Sequence, residues 1–300
     1  VLEKTGGNAN VGYAWRTKEY SDVSLMPYMD VYWAADGVQV SPFPHEHSNG
    51  AELTWQRFTG IGPFADEVLA DNPVGYWRLD EGVGDTTVWD WSTNDNTGTV
   101  QNAASATRAE AGALSDGDLS TKFLGTGYVS VPDATNLHVN DVFTAEAWVR
   151  RSDLVAREMV FLSQGGTGFR FQLNTSNKLQ LLKANPASSI VQSTATITDT
   201  NWHHAVATKS GATVQLYLDG VDVTGSVTNT TLTTPTGSTY VATNPSPSLP
   251  WFGWVDEAAI YPAALSSARV QAHWNARSTD AGFQRYEIHR SQTLGFTPSA

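Results

Sequence analysis

The feature that most constrains this chain is a long succession of short strand-like runs, each cut off by turn residues, between Asp66 and Arg277. Residues 75–79, 122–131, 143–150, 158–164, 169–174, 178–183, 203–209, 213–218 and 253–261 read as strands. Asn174-Thr175-Ser176-Asn177 and Asp219-Gly220 between them carry turn chemistry. Helical signals are confined to the margins. Phe64 to Ala70 suits one or two turns closed by Asn72-Pro73, and Ser266 caps a short helix over 267–274. Regularly spaced strands without intervening helices predict an all-β, two-sheet sandwich and not a parallel α/β fold.

Composition narrows the function. Charged residues make up 16% of the 300, with 11 Trp and a net charge of −12. The charged fraction lies below the roughly 25% usual in globular chains. The acidic balance argues against nucleic acid, whose phosphates it would repel, and against anionic membrane surfaces. No run approaches the ~18 apolar residues of a membrane span. Without cysteine, disulfides and thiolate chemistry are excluded. The polar, Thr-rich, cysteine-free composition leans towards an exported bacterial protein, and a chain that begins with Val reads as a piece of something longer.

Several phrases in order resemble the bacterial laminin-G-like, concanavalin A-like jelly rolls. Pro73-Val74-Gly75-Tyr76-Trp77-Arg78-Leu79-Asp80-Glu81 looks like the opening strand, followed by an Asp/Asn/Gly-rich loop from Asp90 to Gly98. Phe143 to Arg150 looks like a central strand. Trp202-His203-His204-Ala205-Val206-Ala207, followed by Val214 to Gly220, is the most specific stretch, and Gly253 to Tyr261 with Ala264-Leu265-Ser266 resembles the closing strand and its helix. The resemblance implies a concanavalin A-like jelly roll over 61–278.

The flanks resemble other modules. Residues 1–35 are similar to the C-terminal part of a DNRLRE-like β-module. Residues 36–60 and 279–300 resemble parts of one fibronectin type III-like domain, into which the jelly roll would be inserted. Such modules imply a large secreted or surface protein, some with Rhs/YD-repeat shells. Incomplete sheets at both ends imply self-association or completion by the rest of the polypeptide.

Three chemistries compete. Glycosidases of this fold need two carboxylates about 5–9 Å apart, but Asp80-Glu81 and Asp256-Glu257 are adjacent and should point to opposite faces of a strand. His203-His204 should diverge for the same reason, whereas His45-Glu46-His47 could share a face but sits beside Pro44 in a loop. A structural calcium ion is the sharper expectation, with Asp80, Asp90 and Asp256 as ligands, because relatives carry calcium near their paired first and last strands. The competing reading is that these acids cap turns. Carbohydrate binding would use aromatics in loop-like sequence, namely Trp89, Trp91, Tyr240 and Trp251, with 245–251 lining a rim, while Trp77, Trp148, Trp202 and Trp254 belong to the core.

The reading is a non-catalytic, extracellular or cell-surface module that recognises glycan or protein. The alternatives are a purely structural unit of a fibre, filament or toxin shell, and a glycoside hydrolase.

Overall fold

A computed structural model describes residues 62–278 except 116 and 233, and the backbone of β1 (Leu2–Thr5), β2 (Gly12–Trp15), β3 (Val31–Ala34) and β4 (Gly37–Val40). β1 pairs antiparallel with β2, and β3 with β4. The chain divides into two compact units, Gly62–Gly282 on the one hand and Val1–Ile61 with Phe283–Ala300 on the other. Most of the DNRLRE-like segment 1–35 and of the fibronectin-like segments 36–60 and 279–300, with the strands expected at 51–55 and 283–290 and His45-Glu46-His47, lies outside the described residues.

The larger unit runs α1 (Pro63–Ala70), β5 (Gly75–Trp77), β6 (Thr87–Val88), β7 (Gly98–Gln101), β8 (Ala106–Ala111), β9 (Leu119–Leu124), β10 (Tyr128–Val131) and β11 (Val142–Arg151). It continues with β12 (Met159–Gln164), β13 (Phe169–Leu173), β14 (Leu179–Lys183), β15 (Ser188–Gln192) and β16 (Trp202–Ser210). β17 (Thr213–Leu218), β18 (Val221–Asp222), β19 (Thr239–Val241), β20 (Phe252–Tyr261) and α2 (Ser267–Ala276) complete it. Two antiparallel sheets form a sandwich. The front sheet has the order β15-β14-β13-β12-β19-β10-β7-β6, and the back sheet β18-β17-β16-β11-β20-β9-β8 with β5 also on β20. Alternate residues of both sheets, among them Phe161, Phe169, Phe171, Phe143, Val255 and Ile260, fill one core between them.

Expected and observed strands differ most instructively at 122–131. That run is two strands in different sheets, β9 in the back and β10 in the front. The chain crosses at Gly125, whose φ of +93° and whose Cβ, 2.5 Å from the Phe252 ring if it existed, admit glycine alone. Strands β6, β7, β8, β15, β18 and β19 were not foreseen. Most are short or rich in Ser, Thr and Gln, and β8, of sequence Ala-Thr-Arg-Ala-Glu-Ala, is an edge strand without large apolar residues. At Asp219-Gly220, successive φ values of +54° and +77° make the expected tight turn from β17 to β18.

Both helices pack on the outer face of the back sheet. Pro63 opens α1, which buries Phe64, Ala65 and Val68. Ser266 caps α2 as its sequence predicts, accepting from the Arg269 N–H. What binds the helices to the sheet is a polar chain centred on fully buried Glu146 of β11. Its carboxylate accepts from His204 Nε2 at 2.5 Å and from the Tyr261 hydroxyl at 2.6 Å, and lies 3.0 Å from His273 Nδ1 of α2. The other nitrogen of His273 is 3.0 Å from Asp71, which closes α1 and also receives Arg269 Nε at 2.9 Å. Phe64 sets its ring edge-on against Trp148, His204 and His273. His203 points the other way, to Asp219 and Asp199, so the two histidines diverge as expected.

Burial opposes the Glu146 carboxylate, but His273 and His204 outweigh it and hold its pKa below the usual range. Burial likewise disfavours charge on His273, and Glu146 and Asp71 outweigh it to raise that pKa. A raised histidine pKa contributes stability that is complete below the unfolded value of about 6.5 and is lost as pH rises through the folded value. A His273→Gln variant should therefore melt below the wild type by the widest margin near pH ~5.5, where Glu146 is also still ionised, and by a shrinking margin towards pH ~9. Calorimetry across that range checks it. A margin constant with pH would show that the imidazolium charge contributes nothing.

Candidate functional site

Strand β20 is interrupted. Its register against β11 slips between Glu146 and Trp148, and Glu257 takes a φ of +51°. The extra residue makes a β-bulge, so two consecutive side chains turn the same way. Val255 and Ala258 face the core, while Asp256 and Glu257 both face outwards. The expectation that adjacent acids diverge is corrected here, since it holds for a regular strand and not for a bulge. Asp118, just before β9, completes a group in which one oxygen of each of Asp118, Asp256 and Glu257 lies within 4.8 Å of the others.

Arg78 runs through this acidic corner. Its Nε donates to Glu257 at 3.2 Å, one terminal nitrogen to Asp118 at 2.9 Å, and another lies 3.5 Å from Asp80. The Tyr76 hydroxyl donates to Glu257. Asp256 accepts from the Ala113 N–H at 2.8 Å through one oxygen, and its other oxygen is buried without a partner. Burial first, and Glu257 next, push the Asp118 carboxyl up to about 9 against the pull of Arg78. Burial raises Glu257 to about 7, Arg78 opposing and Asp256 adding. Asp256 lies well above the carboxylate range through burial and Asp118.

Of the three expected calcium ligands, Asp256 belongs to this corner and Asp80 borders it through Arg78. Asp90 does not belong. Its carboxylate accepts from the N–H groups of Tyr76, Ser92 and Asn96 at 2.7–2.9 Å and from the Ser92 hydroxyl at 2.8 Å, so it organises its loop as a turn cap. Asp118 and Glu257 take the places next to Asp256. The donor set is of the type a hard cation takes, three carboxyl groups with a buried Asp256 oxygen that has no donor.

The second polar surface is the outer face of the front sheet. The pairing register lays Leu182, Arg170, Ser163, Tyr240, Ser130, Thr99 and Thr87 in one row across seven strands. Tyr240 stands between two serines with its ring centroid 6.2 Å from that of Tyr128 on the neighbouring strand. Both rings are half-buried, and Gln101, Gln172 and Gln180 share their face.

The other expected aromatics separate. Trp89 is 57% exposed and Trp91 36% exposed; the Arg78 guanidinium lies 5.4 Å above the Trp91 ring, so Trp91 borders the acidic corner, while the Trp89 N–H donates to Glu81. Trp251 is 0% exposed, which removes it from any binding surface. Its N–H donates to the Ala242 carbonyl, drawing the loop 243–250 shut, and its ring meets Phe161 edge-on inside the core. That loop is stapled by Asn244 Oδ1, which accepts from the N–H groups of Ser248 and Leu249. Trp77 and Trp148 are core residues as expected, but Trp202 and Trp254 are half-exposed on the back sheet. There Trp254 lies between Lys122 and Arg150, whose charges sit 4.3 and 4.5 Å from its ring centroid.

The two packed antiparallel sheets form a sandwich consistent with a concanavalin A-like jelly roll. Residues 123–271 match the family model Laminin_G_3, the concanavalin A-like lectin/glucanases superfamily. Among solved structures, domain 4 of AbnA, a GH43 extracellular arabinanase from Geobacillus stearothermophilus in complex with arabinotriose, superposes with a TM-score of 0.51 at 19% identity, over 67% of this chain and 98% of that one. The binding domain of Paraclostridial Mosquitocidal Protein 1 gives 0.53 at 16% identity over 69% and 53%. A Trypanosoma rangeli sialidase mutant displaying trans-sialidase activity gives 0.52 at 20% identity over 71% of this chain, and the match spans 35% of the sialidase. No curated protein sequence matches. At these identities the likeness is one of fold.

The Trp assignments are testable by stability. Trp251→Ala should cost about 3–5 kcal/mol in denaturant unfolding, whereas Trp89→Ala should stay within about 0.5 kcal/mol of wild type. Equal losses would contradict the placement of Trp251 in the core.

Proposed function

We propose that this jelly roll is a non-catalytic glycan-binding module of a larger extracellular bacterial protein, and that its acidic corner holds a structural calcium ion. The observation that carries the reading is the pair Tyr128 and Tyr240, set side by side on a sheet face with Gln101, Ser130 and Thr99 as their neighbours. Half-buried rings offer flat apolar surface to a sugar, and the accessible side chains of these three neighbours answer its hydroxyl groups. The non-catalytic half of the reading is supported by the carboxylates. Asp256 and Glu257 are fully buried and Arg78 pairs with Asp118 and Glu257, so these clustered acids do not present two free carboxylates to a scissile bond in an open cleft.

A glycan array probed with the jelly roll should give a discrete set of binders, and Tyr240→Ala should weaken them at least about tenfold, the equivalent of ~1.4 kcal/mol. Complete silence of the array would favour the purely structural reading. For the ion, calcium added to EDTA-treated protein at neutral pH should raise the melting temperature, with stabilisation reaching ~2.7 kcal/mol at a hundredfold excess over the dissociation constant. Asp256→Asn should abolish that rise. A melting temperature indifferent to calcium in the wild type would remove the ion from the proposal.

A further inference from the structure

The front-sheet face carries one group that a neutral sugar leaves unexplained. Every other arginine in the described residues has a side-chain partner. Arg78, Arg108, Arg157 and Arg269 form ion pairs, Arg151 and Arg277 donate to oxygens, and Arg150 donates to Thr200 and covers Trp254. Arg170 has no side-chain hydrogen bond, ion pair or ring contact, although the chain holds 30 acids against 18 bases. Its Nε is buried without an acceptor. Burial depresses its pKa, and Glu158 is the carboxylate that counters this. On the same strand, Oε1 of the buried Gln172 has no donor, while its Nε2 donates to Gln180 at 3.0 Å.

Position gives the orphan a meaning. Arg170 lies in the row that contains Tyr240, separated from it by Ser163 alone. Strand spacing puts the two backbones about 10 Å apart, two interstrand steps. Ser163 is small and fully buried, its hydroxyl turned away to the Thr243 carbonyl at 2.8 Å. Ser163 thus offers no group of its own to a ligand, and a disaccharide stacked on Tyr240 is long enough to span the two interstrand steps to Arg170.

Building on the glycan-binding reading above, we infer that this face recognises a carboxylated glycan, with Arg170 as the partner of the sugar carboxylate. A planar guanidinium pairs with a carboxylate through two parallel N–H···O bonds, a geometry that lysine does not reproduce. The shared chemistry is a carboxylate on a sugar ring, supplied by a uronic or by a sialic acid residue.

The test uses the whole chain and four probes in isothermal titration: an oligogalacturonide, a sialyllactose, and the methyl ester of each. At least one acid should bind tenfold or more tighter than its ester, and which acid does so identifies the source. Arg170→Gln should erase the difference between acid and ester, Arg170→Lys should restore only part of it, and rising salt should weaken the acid alone. Loss of a half-buried charge without an ion pair should leave the melting temperature of Arg170→Gln equal or higher. Equal binding of acid and ester, or an acid preference unchanged in Arg170→Gln, overturns the inference and leaves the glycan reading in place. If these probes and a neutral glycan array are all silent, the glycan reading fails and the inference with it. The ester comparison decides the matter even if the variants do not fold.

Discussion

One strand organises this domain, and the irregularity in that strand matters as much as its pairing. β20 bonds to β11 along one edge and to β9 and β5 along the other, so it fastens the beginning, middle and end of the jelly roll to each other. A regular ten-residue strand would direct Asp256 and Glu257 to opposite sides, sinking one of them in the apolar core at a cost of several kcal/mol. The bulge removes that conflict. It sends both acids outwards to Arg78 and Asp118, and it restores phase so that Ala258 and Ile260 return to the core. Further along the same strand, Tyr261 reaches Glu146 and so joins the network that fastens both helices. Acidic corner and helix anchor are thus two consequences of one inserted residue.

These two polar centres are balanced differently. Glu146 is met by His204, His273 and Tyr261, and its burial is compensated by donors from three elements. The acidic corner is under-compensated. Arg78 contacts Asp80, Asp118 and Glu257, leaving Asp256 with a single backbone donor. Their raised pKa values are the electrostatic record of that shortage. Protonation relieves such a deficit, as the raised values record, and a bound cation would relieve it instead, which is the physical basis of the calcium proposal.

Much of the fold was legible because alternation and turn chemistry are local properties. The strands around Phe143, Phe169, Leu179, His203 and Val214, the Asp219-Gly220 turn and the Ser266 cap all stand where their own few residues place them. What escaped is non-local. Nothing near Glu257 announces a bulge, because the slip is defined against β11, more than a hundred residues earlier. Trp251 reads as loop, and is loop by backbone, but its N–H bond to Ala242 turns it into the core. Asp118 was invisible as a partner of Asp256 because they meet only when β9 lies beside β20. The isolation of Arg170 is the hardest of all to foresee, since lacking a partner is a property of every neighbour at once.

The two outer faces of the sandwich finally divide its work. On the back sheet, α1, α2 and their polar network cover one part, and in the row beyond them each cation already has a ring: Arg150 and Lys122 flank Trp254. Charge there is consumed within the molecule. On the front sheet the same alternation sets Gln, Ser and Thr where the back sheet has its helices, and it leaves two tyrosine rings and a guanidinium uncommitted to any internal partner other than each other's rings. Polar groups satisfied within a protein specify its fold, whereas those left unsatisfied on an ordered surface are available to a ligand without first breaking an internal bond. The proposed recognition therefore falls on the front face, where strand spacing fixes the distances between its groups.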